Sequence, residues 1–165
     1  MKKNKVLQNI SLDESDEVKK LYVVFRIRGD DLNTQKVTSD LNIQPTVAYQ
    51  EGEKFVGKKY DPIARKVVEE IHTRYISVWD IDSESQQSLK RVKEHIEYVL
   101  NILEPHAQAI AQYLEQKEKY LLSFYIRWEP NGEHGSYQIP GDLLDRMAKL
   151  CHFVEYSFIA TTDND

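Results

Sequence analysis

The sequence predicts a single α+β domain: a mostly antiparallel sheet with one long, proline-interrupted helix packed on one face. Three observations predict it. Leu21 to Arg28 and Tyr120 to Trp128 alternate apolar and mixed side chains with the period of two that marks a strand with two different faces. Between them Leu89, Val92, Ile96, Val99 and Leu103 recur at steps of three and four, the stripe of a helix with one buried side, and Leu100 widens it. A chain of 165 residues also buries about 70% of its unfolded surface in one core. The lone Cys151 cannot form an internal disulfide, so packing alone must hold that core.

Taken in order, residues 1–20 are polar with few apolar anchors and read as a flexible arm ahead of a single domain over residues 21–160, with residues 161–165 a disordered tail. The first strand ends at Gly29. Asn33 then stands where an N-cap is needed, with Leu32 and Val37 at the spacing of a hydrophobic staple, so a short helix runs to about Asn42. Pro45 disfavours helix at Gln44, so Ile43 to Tyr49 leaves as extended chain. Gln50 to Glu70, with Gly52, Gly57, Pro62 and many charges, reads as a long loop or irregular hairpin.

A second strand is predicted over Arg74 to Ile81, and Ser83 and Gln86 stand at capping-box spacing ahead of the long helix. Pro105 breaks or kinks that helix and suits the first turn of a new one carrying Ala107, Ile110 and Leu114. After the third strand, Ser136 to Ile139 is predicted as a short fourth, Asp142 to Cys151 as a last helix and Phe153 to Ala160 as a last strand. Phe25-Arg26-Ile27-Arg28 and Phe124-Tyr125-Ile126-Arg127 echo one another, which predicts two ferredoxin-like βαβ halves.

With 27 acidic and 22 basic side chains the net charge is −5, which argues against general nucleic-acid binding. No apolar run approaches the ~20 residues of a membrane span, and the first twenty residues lack the apolar stretch of a secretory signal. A cytoplasmic protein is expected.

Motifs for chemistry are sparse. The five histidines have no two at metal-ligand spacing, and His95, beside Glu94 and Glu97, reads as a surface or boundary imidazole. Asp80, Asp82 and Glu84 alternate like the start of a calcium loop, but Ser85 and Arg91 occupy the positions of its glycine and its glutamate. Asp82 or Ser83 reads instead as a cap for the long helix. Cys151 falls on the helix stripe of Leu144 and Met147 and reads as core. Lys54, Lys58, Lys59, Arg65 and Lys66 make the central loop locally basic, diluted by Glu51, Glu53 and Asp61. Neither a metal nor another cofactor is expected.

The order of these elements resembles a bacterial family known as domain of unknown function 4279. The start resembles Tyr22 to Gly29, and the loop signature resembles Leu41-Asn42-Ile43-Gln44-Pro45-Thr46 followed by Tyr49 and Gly52. A Trp before the long helix resembles Trp79, the helix resembles Glu94 to Pro105, and the closing helix and strand resemble Leu143 to Phe158. Where the family has Gly after the signature leucine this chain has Asn42, which also tolerates left-handed backbone. The resemblance implies a fold and a bacterial or phage origin, and it carries no catalytic residues.

Function is therefore sought in surfaces. If the first and third strands share a sheet with their apolar faces aligned, Arg26, Arg28, Tyr125 and Arg127 fall together on the opposite face, in the composition of a binding surface. The competing expectation is that these arginines pair with Asp80 or Glu155, under the central loop. The leading expectation is a non-catalytic protein-interaction domain, such as an immunity or inhibitor protein against a toxin, whose partner is another protein. The alternative is a sensor for a small, anionic ligand with a pocket under the 45–52 loop. A hydrolase with spatially assembled carboxylates comes third. The loop motif Pro45, Thr46, Tyr49 and Gly52, with Trp79, is expected to be structural first: Pro45 fixes an extended exit, Thr46 hydrogen-bonds nearby backbone and Tyr49 lays its ring over the sheet edge.

Overall fold

Val23, Phe25 and Ile27 have no exposed surface, which places the strand that carries them at the centre of the protein. The computed structural model describes residues 18–130 and 136–158. That strand, β1 (Val18–Gly29), starts within the predicted arm, at Val18. It is followed by α1 (Thr34–Leu41), β2 (Val47–Tyr49), β3 (Lys54–Asp61), β4 (Lys66–Thr73) and β5 (Ser77–Asp82). The chain continues through α2 (Val92–Leu103), α3 (Ala107–Leu114), β6 (Leu121–Pro130), α4 (Gly141–Ala148) and β7 (Phe153–Phe158). Five strands form one sheet in the order β2-β5-β1-β6-β7, and β3 and β4 form a separate two-stranded ribbon. All neighbours in the large sheet are antiparallel except β6 and β7.

The helices form where the sequence places their signals. Asn33 caps α1 through its side chain, which accepts from the Lys36 amide, and Asn42 ends it in left-handed backbone at φ 52°. The stripe Val92, Ile96, Val99, Leu100 and Leu103 is buried against Phe25, Ile27 and Phe124 in one continuous core. Between α2 and α3 a single 3-10 turn, Glu104–His106, holds Pro105 near its start, where a missing amide hydrogen is least disruptive.

Several expectations need correction. Ser83 does not cap the long helix, because it is fully buried and its hydroxyl accepts from the Val23 amide at 2.9 Å. Helix α2 starts later, at Val92, and the Glu94 carboxylate accepts the Lys90 and Arg91 amides there. His95 is also buried rather than at the surface, with Nδ1 2.8 Å from Ser83 Oγ and Nε2 3.3 Å from Leu89 O. Of the two readings of Gln50 to Glu70, loop or irregular hairpin, the hairpin holds, but it is a regular eight-residue by eight-residue one running to Thr73, and the strand expected from Arg74 begins at Ser77. Ser136 to Ile139 is not a strand.

The ferredoxin-like halves are not repeated in the topology. Phe25 and Phe124, the heads of the two echoing segments, are direct cross-strand partners in antiparallel neighbours. The chain leaving β1 through α1 returns, after β2, β3 and β4, as an antiparallel neighbour, β5, whereas β6 and α4 lead to a parallel one, β7. Strand direction therefore differs between the two segments.

Candidate functional site

Alternation along the strands gives the large sheet two distinct faces. Val23, Phe25, Ile27, Trp79, Ile81, Leu122, Phe124 and Ile126 join the core beneath the helices. Their sequence neighbours point the other way. Register pairs Tyr22 with Arg127, Val24 with Tyr125, Arg26 with both Ser123 and Asp80, and Arg28 with both Leu121 and Val78. All four predicted residues, Arg26, Arg28, Tyr125 and Arg127, thus occupy one face. Val24 and Val78 are buried there without belonging to the helix-covered core, which makes them the aliphatic floor of this second face.

Its electrostatics are largely pre-arranged. Arg26 donates from Nε and Nη2 to the two carboxylate oxygens of Asp80 at 2.9 and 2.7 Å. Asp80 is only 3% exposed. Burial pushes its carboxyl above the usual range, and the Arg26 bonds pull it back in part. The same bonds hold the Arg26 guanidinium firmly in its charged form. Arg127 donates to Glu129 at 3.0 Å, which holds that carboxyl low, while Arg127 Nε is buried with no partner among the described residues. Tyr22 and Tyr125 lie with ring centroids 6.2 Å apart. Arg28 has no carboxylate at ion-pair distance among the described residues. It lines a cleft of about 440 Å³ with Asp30, Asp31, Lys117, Lys119 and Tyr120.

The loop motif divides between architecture and surface. Pro45 is half-buried at the entry to β2. Thr46 stitches the chain to β5: its amide and hydroxyl both donate to Asp80 O, at 2.9 and 3.1 Å, and its hydroxyl accepts from the Asp82 amide. Trp79 is wholly buried under α1, its indole N–H donating to Thr38 Oγ1. Gly52 has φ +84°, the left-handed backbone its turn requires. Tyr49 pairs with Val78 in the edge strand, so its ring stands at the margin of the open face.

A smaller cleft of about 250 Å³ adjoins the loop, lined by Tyr49, Phe55, His72, Thr73, Arg74, Tyr75 and Ile76. Its central cation is Arg74, which no sequence motif singles out; the guanidinium carbon lies 4.0 Å from the Tyr49 ring centroid and 3.7 Å from that of Phe55. Arg74 reaches those rings because β4 pairs back along β3 and returns the chain to Gly52 and Glu53, an arrangement that local periodicity does not encode.

Several reactive side chains among the described residues are tied into the structure. Ser83 and His95 are in contact, but Ser83 has no exposed surface and its hydroxyl is bound into β1. Asp80 is matched by an arginine rather than by a second acid. Burial pushes the Cys151 thiol up to about 11, far from the reactive thiolate. Among the described residues no group of three or more His, Cys, Asp or Glu is placed to hold a metal, and no helix is long and apolar enough to cross a membrane.

No curated protein and no solved structure matches the chain. A family model described as a domain of unknown function, DUF4279, matches residues 19–156, and the chain belongs to that family.

Proposed function

We propose that this member of the family is a non-catalytic protein-interaction domain whose recognition surface is the helix-free face of the sheet. One observation carries the proposal: Tyr22, Arg26, Arg28, Tyr49, Tyr125 and Arg127 share that face above an aliphatic floor. Tyr and Arg concentrate binding energy because each combines a large rigid contact area with directed polar groups. Arg26 and Arg127 are already held by Asp80 and Glu129, so ordering them on binding costs little. Arg28 retains donors for a carboxylate of the partner.

In the finer reading the protein is a bacterial, cytoplasmic immunity or inhibitor protein that occludes a toxin. A small domain with net charge −5 and a ready Tyr and Arg face supports that reading. The test is paired capture from the native host with the wild type and an Arg28→Ala/Tyr125→Ala variant, followed by affinity measurement on the purified partner. The expected result is a partner whose affinity falls at least ~10-fold in the variant, with thermal stability retained. Unchanged affinity in a folded variant refutes the surface.

A further inference from the structure

The base of the ribbon fixes Arg74 with unusual completeness. Its amide donates to Glu53 O and its carbonyl accepts from the Gly52 amide, both at 2.8 Å, so the backbone is tied on both sides to the turn that follows β2. The side chain then packs on both Tyr49 and Phe55, its guanidinium carbon 4.0 and 3.7 Å from the two ring centroids. A guanidinium meets aromatic rings with its faces. All five of its N–H donors lie in its plane, at the edge. Among the described residues that edge has no hydrogen-bond or ion-pair partner, although Arg26, Arg127 and Arg146 each have one.

The chemistry of the lining narrows what the edge would bind. Besides Arg74, the cleft is bounded by Tyr49, Phe55, His72, Thr73, Tyr75 and Ile76, with no carboxylate among them. His72 packs its ring against Phe55 with centroids 5.4 Å apart, and the Glu70 carboxylate lies 4.0 Å from its Nε2. Arg74 is thus the one permanent cation in a mostly aromatic and aliphatic cleft. A dianionic phosphate would need a second cation there, whereas a planar carboxylate matches the fork of a single guanidinium. At about 250 Å³ the cleft is below the usual range for drug-sized ligands, which sets the scale of the occupant.

We propose that this cleft is a binding site for a small monocarboxylate with an apolar body, its carboxylate held edge-on by Arg74 and its body lying against Tyr49, Phe55 and Ile76. The site shares Tyr49 with the sheet face but rests on Arg74 and the ribbon, so either proposal can fail alone.

The experiment follows the Arg74 Nε–Hε resonance of the full chain by heteronuclear NMR during titration with benzoate, butyrate, benzamide and inorganic phosphate. A saturable shift with benzoate or butyrate is expected, with benzamide, the neutral counterpart of benzoate, and phosphate each at least ~10-fold weaker. Arg74→Met keeps an apolar stem between the rings and removes the donors, so carboxylate affinity should fall by at least ~10-fold while the Val56 and Ile71 methyl signals of the ribbon stay in place. If that variant loses the ribbon, the wild-type titrations decide alone. No response of Arg74 to either carboxylate overturns the site. Equal binding of benzoate and benzamide, or tighter binding of phosphate, overturns the carboxylate assignment.

Discussion

Arg26 lies flat against Asp80 through two hydrogen bonds, and losing the arginine has a consequence that depends on pH. In Arg26→Met the Asp80 carboxylate stays buried without its counter-charge, so its folded pKa rises further above the unfolded value. A carboxyl raised in the folded state favours folding below its unfolded pKa and loses that contribution as pH rises through the folded pKa. Arg26→Met should therefore be destabilised by about 2–4 kcal/mol at neutral pH and by clearly less near pH ~4. Urea titrations at the two pH values check this; equal losses would show that Asp80 does not depend on Arg26 for its charge. Cys151 is the opposite kind of residue. With its thiol raised to about 11 by burial, its alkylation in native protein should be at least ~100-fold slower than in denaturant. Cys151 is buried as expected, but not on the helix stripe the spacing predicts: α4 ends at Ala148, and Leu144, one of the three stripe positions, is 40% exposed. The roles of Ser83 and His152 were not legible from spacing. His152 accepts the Leu122 amide at Nδ1 and has Nε2 3.0 Å from Leu114 O, joining the end of α3 to β6 across 30 residues or more, and no local pattern announces such a role.

At the scale of elements, α2 was readable because one side of it is apolar and fully buried. Ile96→Ala should leave a cavity beneath the helix and lower stability by about 2–5 kcal/mol in a denaturant titration. The β3–β4 ribbon was hard to read for the converse reason. Val56, Tyr60, Val67 and Ile71 on one of its faces are 60–70% exposed, so no buried side imposes an alternation strong enough to stand out among the charges. A two-stranded ribbon in water is marginal, and this one relies on local devices. At Gly57 an added Cβ would sit 2.4 Å from His72 Cδ2, so the His72 ring lies directly over the glycine while it packs beside Phe55. Gly57→Ala must displace that ring. Amide exchange in Lys54–Asp61 and Lys66–Thr73 should accelerate at least ~10-fold while α2 protection is unchanged, and equal protection of the ribbon in the variant would show that the ring is dispensable.

Across the whole molecule, one-sided coverage of the sheet ties the fold to the candidate surface. The helix stripe and the core-facing strand residues form one cluster, so stability is concentrated on that side and the Tyr and Arg side chains on the other are free to differ. The alternation of β1 and β6 made both faces visible in the sequence. Asp80 was an expected candidate partner for the arginines, and Arg26 does pair with it; which arginine it takes depends on β5 lying beside β1, and the Arg74 cleft depends on the path of the ribbon, which spacing does not give. The two-faced architecture makes a sharp demand on two consecutive residues. Phe124 has no exposed surface and packs against Phe25 in a tilted pair with ring centroids 5.3 Å apart, whereas Tyr125 is half-buried on the opposite face beside Tyr22. Phe124→Ala removes a large ring from a closed core and should lower stability by about 3–5 kcal/mol. Tyr125→Ala removes one of similar size from a surface that water already reaches, and should lower it by less than ~1 kcal/mol. Denaturant titrations of the two variants measure the difference directly. Similar losses at both positions would mean that the second face is as closed as the first, and the recognition surface proposed for it would then have no room for a partner.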